Sequence, residues 1–306
     1  MSVKVQIVEV GPRDGLQNES AIVPAEAKIA LIHKLLDAGL ERIEASSFVN
    51  PRWIPQLADA EEVLRGILPV EKKGVQISAL VPNVRGLERA RQCGLDEIAL
   101  FMSASESHNR KNINKSIAET FPVLAEVAKE ALALGMRVRG YVSTVFGCPY
   151  EGDVPVDNSR RVTDALLEMG VYEVSLGDTI GVATPKQVHE IFAELVKDVT
   201  TERLAGHFHD TRGTGLANVV AALEEGIRTF DSSIGGLGGC PYAPGAAGNI
   251  STEDLVYMLH GMGYETGVDL NRLTEAGAYI QEQLGRELSS KVLKANLAKR
   301  QLEEYT

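Results

Sequence analysis

The sequence predicts an α/β protein, a (β/α)8 TIM barrel with additional C-terminal helices. Three observations carry that prediction. Eight apolar, β-branched runs of strand length recur along the chain, segments with helical periodicity alternate with them, and polar side chains gather where the strands end. A chain of 306 residues that is 44% hydrophobic can bury a core of that size.

The strand-length runs occupy 4–10 (KVQIVEV), 42–48 (RIEASSF), 75–81 (VQISALV), 97–103 (EIALFMS), 137–144 (RVRGYVST), 172–178 (YEVSLGD), 203–210 (RLAGHFHD) and 229–235 (TFDSSIG). Helical periodicity fills 24–38, 55–66, 84–93, 116–134, 158–169, 185–198 and 214–225, and several of these segments close on glycine. An open doubly wound sheet usually has fewer strands and a glycine-rich phosphate turn after the first, so the barrel is the better match. After the eighth unit, helical segments at about 251–263 and 269–286 precede a charged tail, SSKVLKANLAKRQLEEYT, which either caps the barrel or frays. One catalytic domain is expected over 1–306, with the barrel at about 4–265 and the C-terminal helices and tail at about 266–306.

Composition removes several classes of function. With 31 basic and 42 acidic residues the formal charge is -11, which repels a phosphate backbone and argues against nucleic acid as a partner. An anionic small ligand then needs a local basic pocket. Cys93, Cys148 and Cys240 are too few and too scattered for a disulfide framework or a thiolate zinc site, which suits a reducing compartment. The amino terminus, MSVKVQIVEV, alternates like a strand and lacks an apolar targeting stretch. No run reaches the length of a membrane span, so a soluble, cytoplasmic protein is expected.

A barrel places its chemistry at the carboxyl ends of strands and in the loops that follow. Strand one ends in Gly11-Pro12-Arg13-Asp14-Gly15-Leu16-Gln17, strand two contains Glu44, and strand five carries Arg139 and Tyr141. Strand six ends at Asp178-Thr179, strand seven at His207-Phe208-His209-Asp210, and strand eight leads into Gly235-Gly236-Leu237-Gly238-Gly239-Cys240-Pro241-Tyr242 and on to Asn249. Two histidines two positions apart in an extended segment share a face, so both imidazoles reach one ion. Strand eight pairs with strand one in a closed ring, which brings Asp14 and Asn249 beside them. Asp14, His207, His209 and Asn249 form a mixed nitrogen and oxygen shell that suits Mg2+ or Mn2+ better than structural zinc, although zinc or cobalt also fits. Against this stand readings in which Asp14 caps a turn, Asn249 caps the following helix and the histidines pack.

Arg13 is the natural partner of a carboxylate or of a carbonyl oxygen where negative charge develops, or else of an acid across the barrel mouth. Glu44, in a strand whose alternate residues face the barrel interior, needs a cation nearby and either orients Arg13 or acts as a base. Cys240, flanked by glycine, suits a mobile lid that exchanges a proton, whereas Cys93 and Cys148 read as structural.

These residues make the chain resemble the 3-hydroxy-3-methylglutaryl-CoA lyase family, within the wider group of metal-dependent aldolase and Claisen-condensing barrels, over nearly all its length. The most specific piece is Gly236-Leu237-Gly238-Gly239-Cys240-Pro241-Tyr242-Ala243 with Gly248-Asn249 and Thr252-Glu253-Asp254-Leu255-Val256-Tyr257-Met258. Supporting matches are Val10 to Glu19, Ser47-Phe48-Val49, Lys111-Asn112-Ile113-Asn114, Arg139 to Ser143, Gly147 to Gly152 and Ser175 to Gly181. The resemblance implies cleavage of a tertiary β-hydroxy acyl-CoA to acetyl-CoA and acetoacetate with a divalent cation. It implies Arg13, Cys240, His207, Glu44 and Asp178 as catalytic residues, and Arg13, Gln17, Tyr141, Lys111 and Asn112 as substrate contacts; Arg212, just past the histidine pair, is added as a further substrate contact from its own position. Arg110, Lys111 and Lys115 form a basic patch suited to CoA phosphates, or a merely solvated loop.

Two stretches depart from the family pattern: His108-Asn109-Arg110, where relatives carry a more apolar residue and lysine, and Arg212-Gly213-Thr214-Gly215 after the His-Asp-Thr element. A paralogue acting on a related branched 3-hydroxy-acyl-CoA, a Claisen-condensing synthase and a non-catalytic acyl-CoA sensor therefore stay open. A carboxyl-terminal cysteine is absent from the sequence, so disulfide-based regulation is not expected. A homodimer or higher homo-oligomer is compatible with the group.

Overall fold

Eight parallel strands close into a barrel in chain order, with the last pairing back to the first. The computed structural model describes residues 3–70, 74–238 and 248–304. The strands are β1 (Gln6–Glu9), β2 (Arg42–Ser47), β3 (Gln76–Leu80), β4 (Glu97–Ser103), β5 (Arg137–Ser143), β6 (Glu173–Gly177), β7 (Leu204–His207) and β8 (Thr229–Ser232). Each lies within one of the expected runs. The helices are α1 (Ala25–Asp37), α2 (Ala60–Ile67), α3 (Val84–Gln92), α4 (Glu106–Ile113), α5 (Ile117–Ala133), α6 (Val156–Glu168), α7 (Pro185–Leu195), α8 (Gly215–Glu224), α9 (Thr252–Gly261), α10 (Leu270–Leu284) and α11 (Lys291–Glu304).

Period-two alternation decides which way each strand residue faces. Ile43, Ile77, Ile98, Val138, Val174, Leu204 and Phe230 form one continuous core with Leu35 of α1, Leu64 of α2, Val127 of α5 and Phe192 of α7. Fully burying each such side chain is worth about 1.5–3 kcal/mol, so this layer between strands and helices supplies most of the driving force. The neighbouring residues Arg42, Glu44, Arg139, Tyr141, Glu173, Ser175, His207 and Asp231 instead bond to one another across the barrel. Barrels commonly fill that space with branched apolar residues; here it is polar and charge-paired.

The chain departs from the sequence expectations in four places. The seventh strand stops at His207, because the next residues leave the sheet to pair with the segment after β8: Ile250 N–H donates to Phe208 C=O (3.1 Å), and His209 faces Asn249 in an antiparallel bridge. The segment after β1 is a wide turn in which the Val10 carbonyl accepts N–H groups from Arg13, Asp14 and Gly15 at 3.1, 2.7 and 3.2 Å. Such turns are uncommon and frequent at functional sites. The basic stretch after β4 is helical, α4, started by Ser105 Oγ accepting from His108 N–H and stopped by Asn114 at φ 56°. Its polar sequence carries no amphipathic signal, so only the cap announces it. The charged tail forms α11, packed on α9 and α10 and capped by Asp254, which accepts from Ser290 Oγ and from the Lys291 and Val292 N–H groups. Among the described residues, no helix is long and apolar enough to cross a membrane.

Candidate active site

The wide turn after β1 lifts Asp14 over the barrel mouth, and the bridge between His209 and Asn249 carries the other three groups to it. His207 Nε2 and His209 Nε2 lie 3.4 Å apart, and Asp14 Oδ2 is 4.0 Å from His207 Nε2. One donor atom each from Asp14, His207 and His209 falls within 4.8 Å of the others, the arrangement a single cation requires. The 3.4 Å between the two nitrogens is short enough for both to reach one ion. Asn249 Nδ2 donates to Asp14 Oδ2 (2.9 Å) and to Leu237 C=O (3.1 Å), which leaves Oδ1 as its remaining ligand atom. Two imidazoles, a carboxylate and an amide oxygen fit a divalent cation.

Arg13 stands beside the cluster and is fixed from two sides. Its Nη1 pairs with Asp14 Oδ1 at 2.5 Å and its Nε with Glu44 Oε1. Glu44 is fully buried, and its other oxygen accepts from Tyr141 Oη at 2.6 Å. The Tyr141 ring is close to two guanidinium groups, with Arg13 at 5.6 Å and Arg139 at 4.9 Å from its centroid, and meets the His207 ring edge-on at 6.2 Å.

These contacts set the charges. Burial opposes the ionised form of Asp14, but the Arg13 charge and the two imidazoles outweigh it and hold its carboxyl at about 2. Burial also disfavours a charged Arg13, yet Glu44 and Asp14 keep it more firmly cationic than usual. His209 is pulled down to about 4 by burial and by His207, so it presents a neutral nitrogen. His207 moves the other way: burial lowers it, but the Asp231 hydrogen bond and charge raise it further.

The cluster opens into a cavity of about 780 Å3 whose floor includes Arg13, Asp14, Gln17, Tyr141, His207 and His209. Its outer wall runs past Trp53, Pro82, His108, Asn112, Lys115 and Leu124. That volume is in the range of ordinary small-molecule and cofactor sites.

The profile of the HMGL-like family matches residues 4–280. The chain belongs to that family. It is 53% identical over 290 residues to hydroxymethylglutaryl-CoA lyase YngG of Bacillus subtilis, covering 95% of this chain and 96% of that one. It is 51% identical over 281 residues to the hydroxymethylglutaryl-CoA lyase of Pseudomonas mevalonii, covering 92% and 93%. The crystal structure of the Bacillus subtilis HMG-CoA lyase superposes with a TM-score of 0.94 at 52% identity, over 96% of this chain and 99% of that one. An HMG-CoA lyase from Acinetobacter baumannii in complex with coenzyme A and 3-methylmalate superposes at 0.90 with 42% identity, over 95% of each chain.

In this HMGL-like barrel the residues expected from the sequence fall into three groups. Arg13, Asp14, Gln17, Glu44, Tyr141, His207, His209 and Asn249 come together at the floor, with Asn112 in the cavity wall. Asp178, Lys111 and Arg212 stand outside the cavity lining. Asp178 accepts the Val182 and Ala183 N–H groups at 2.9 and 3.1 Å, which organises the loop after β6; burial pushes its carboxyl up to about 6. Arg212 Nη1 is committed to the carbonyls of Ile180 and Gly181, both at 2.8 Å. The basic patch is divided: Arg110 pairs with Glu106 at 3.0 Å, Lys111 lies 4.4 Å over the Tyr150 ring, and only Lys115 lines the cavity. Cys240 lies outside the described residues; Cys93 and Cys148 are buried free thiols.

Sequence reasoning overlooked Asp231, Ser175 and two glutamates beneath the loop after β8. Glu9 accepts from the Gly11 and Ile234 N–H groups and from Thr252 Oγ1 at 2.7, 2.9 and 2.7 Å. Glu253 Oε2 accepts from Gly235 N–H and Ser251 Oγ, both at 2.8 Å, while its buried Oε1 has no partner among the described residues. For Glu9 the available signal was a carboxylate in a strand between Val8 and Val10, since such a group must find donors when buried.

Proposed function

We propose that this family member is a carbon–carbon lyase that cleaves 3-hydroxy-3-methylglutaryl-CoA to acetyl-CoA and acetoacetate, using Mg2+ or Mn2+. The observation that carries this reading is the convergence of Asp14, His207 and His209 beside Arg13 on the floor of one cavity. The names of the relatives support the substrate, and the Acinetobacter complex with coenzyme A supports an acyl-CoA.

Asp14, His207, His209 and Asn249 would hold the cation. When bound, it would draw charge from the substrate's C3 hydroxyl and lower that group's pKa. Loss of the hydroxyl proton drives electrons into a new C=O at C3, breaks the C2–C3 bond and leaves the enolate of acetyl-CoA. Arg13 is placed to stabilise that oxyanion, because Glu44 fixes its Nε edge before substrate arrives and little reorganisation is left for the reaction. Tyr141 and Gln17 border the same floor and orient the acyl group. His207 holds a proton at Nδ1 against Asp231 Oδ2, and the family resemblance assigns Cys240 the proton that quenches the enolate. A cytoplasmic location and a homo-oligomeric assembly belong to this proposal, the former supported by the bacterial relatives.

The direct test is to incubate the protein with 3-hydroxy-3-methylglutaryl-CoA and Mg2+ or Mn2+ and to assay acetyl-CoA and acetoacetate. Stoichiometric formation of both is expected. Turnover only of another branched 3-hydroxy-acyl-CoA would move the substrate. CoA release from acetyl-CoA plus a 2-oxo acid would move the reaction to condensation.

A further inference from the structure

Behind His207 lies a chain of buried groups that the cleavage reaction itself does not touch. His207 Nδ1 is 3.1 Å from Asp231 Oδ2, on the side of the ring away from His209 and Asp14. The same Asp231 oxygen accepts from Ser175 Oγ at 2.7 Å, and Oδ1 accepts from Arg139 Nη2 at 2.8 Å. Arg139 is in turn held through Nε by Glu173 Oε1 at 2.7 Å. Asp231 and Arg139 are each 1% exposed, so water does not compete for these bonds. His209 has no comparable support: its Nδ1 is buried without a partner among the described residues.

We infer that Asp231 is a positioning residue that fixes His207 with its proton on Nδ1, so that the Nε2 lone pair faces the cation site as the better supported of the two imidazole ligands. The inference rests on the metal reading of the site given above. An acceptor-only carboxylate demands an N–H from whatever faces it, and an imidazole that donates at Nδ1 is left basic at Nε2. Asp231 is built as such an acceptor: its oxygens already take the Arg139 Nη2 and Ser175 Oγ donors at 2.8 and 2.7 Å. Ser175 on Oδ2 and Arg139 on Oδ1 hold the carboxylate from both oxygens and prevent it from rotating. Carboxylate partners of this kind orient histidine ligands, and their loss typically weakens metal binding about 10–100-fold.

Two measurements test this. Long-range 1H–15N spectra of the metal-free protein, recorded at a pH where His207 is neutral and assigned against His207→Gln, should show the His207 proton on Nδ1. A proton on Nε2 overturns the inference, and this readout needs no Asp231 variant to fold. Asp231→Asn keeps the shape and leaves Arg139 paired with Glu173. It should retain the wild-type circular dichroism while binding Mn2+ about 10–100-fold more weakly by electron paramagnetic resonance. Binding within about twofold of wild type overturns the inference, because a purely structural role for Asp231 would leave both readouts unmoved. Failure of the wild-type protein to bind Mn2+ would instead strike the metal reading, with the Nδ1 spectrum still deciding the role of Asp231.

Discussion

Glu44 divides its two oxygens between Arg13 and Tyr141, and so links the cation beside Asp14 to the ring that edges His207. Replacing it by Gln keeps the shape but removes the charge from a pair that is almost wholly buried. Glu44→Gln should lose about 3 kcal/mol of stability in denaturant unfolding, the low end for breaking a buried pair. Its kcat should fall on the order of 100-fold, because Arg13 loses its alignment. An unchanged kcat would remove Glu44 from the positioning of Arg13.

His209→Ala should weaken Mn2+ binding in titration calorimetry by more than about 100-fold, beyond the loss an outer partner causes. The melting temperature should stay near wild type, since the Nδ1 of this ring has no hydrogen bond to lose among the described residues. Mn2+ binding that matches wild type would take His209 out of the cation site.

Glu9 and Glu253 impose a pH dependence on stability. Burial raises them from 4.5 to about 7 and about 8, and the charge on Glu9 adds to the effect on Glu253. The folded state therefore binds protons that the unfolded chain has released above pH 4.5. Their favourable contribution is complete below that pH and is lost as pH rises toward 8. Each held proton contributes a slope of about 1.4 kcal/mol per pH unit inside the window. Glu253→Gln should flatten the fall in melting temperature between pH 5 and 8, roughly the interval over which Glu253 changes charge. A variant whose curve parallels wild type would show that Glu253 is already ionised at low pH.

Arg212→Ala should leave kcat/KM within roughly twofold, the effect of a surface substitution away from the chemistry. Its Nη1 serves the Ile180 and Gly181 carbonyls, so the expected cost is a small loss of stability read by thermal unfolding. A tenfold fall in kcat/KM would return Arg212 to the list of substrate contacts.

The barrel was legible because β-branched runs such as 75–81 and 97–103 and the helices between them repeat a pattern that few architectures share. The four-residue cluster was legible because strand order in a closed ring makes β1, β7 and β8 neighbours whatever lies between them in sequence. Two things were not. Asp231 and Ser175 look like ordinary polar residues of short strands, and only the direction of their side chains into a charged interior shows what they do. Arg212, three positions beyond His209, seemed close to the site by sequence. The chain turns after Asp210, whose carboxylate accepts the Gly215 N–H, and Arg212 is left facing the loop after β6.

The 2.9 Å bond between Asn249 and Asp14 joins residues 235 positions apart. A ribosome adding about 5–20 residues per second makes the first of them tens of seconds before the second. For most of that interval Arg13 and Asp14 exist on a nascent chain that has neither histidine ligand nor the eighth strand. A cation held by these groups cannot be the seed around which the early units gather, because three of its four candidate ligands come from the last third of the chain. The unit that starts the barrel and the units that complete its cation site therefore lie at opposite ends of the chain.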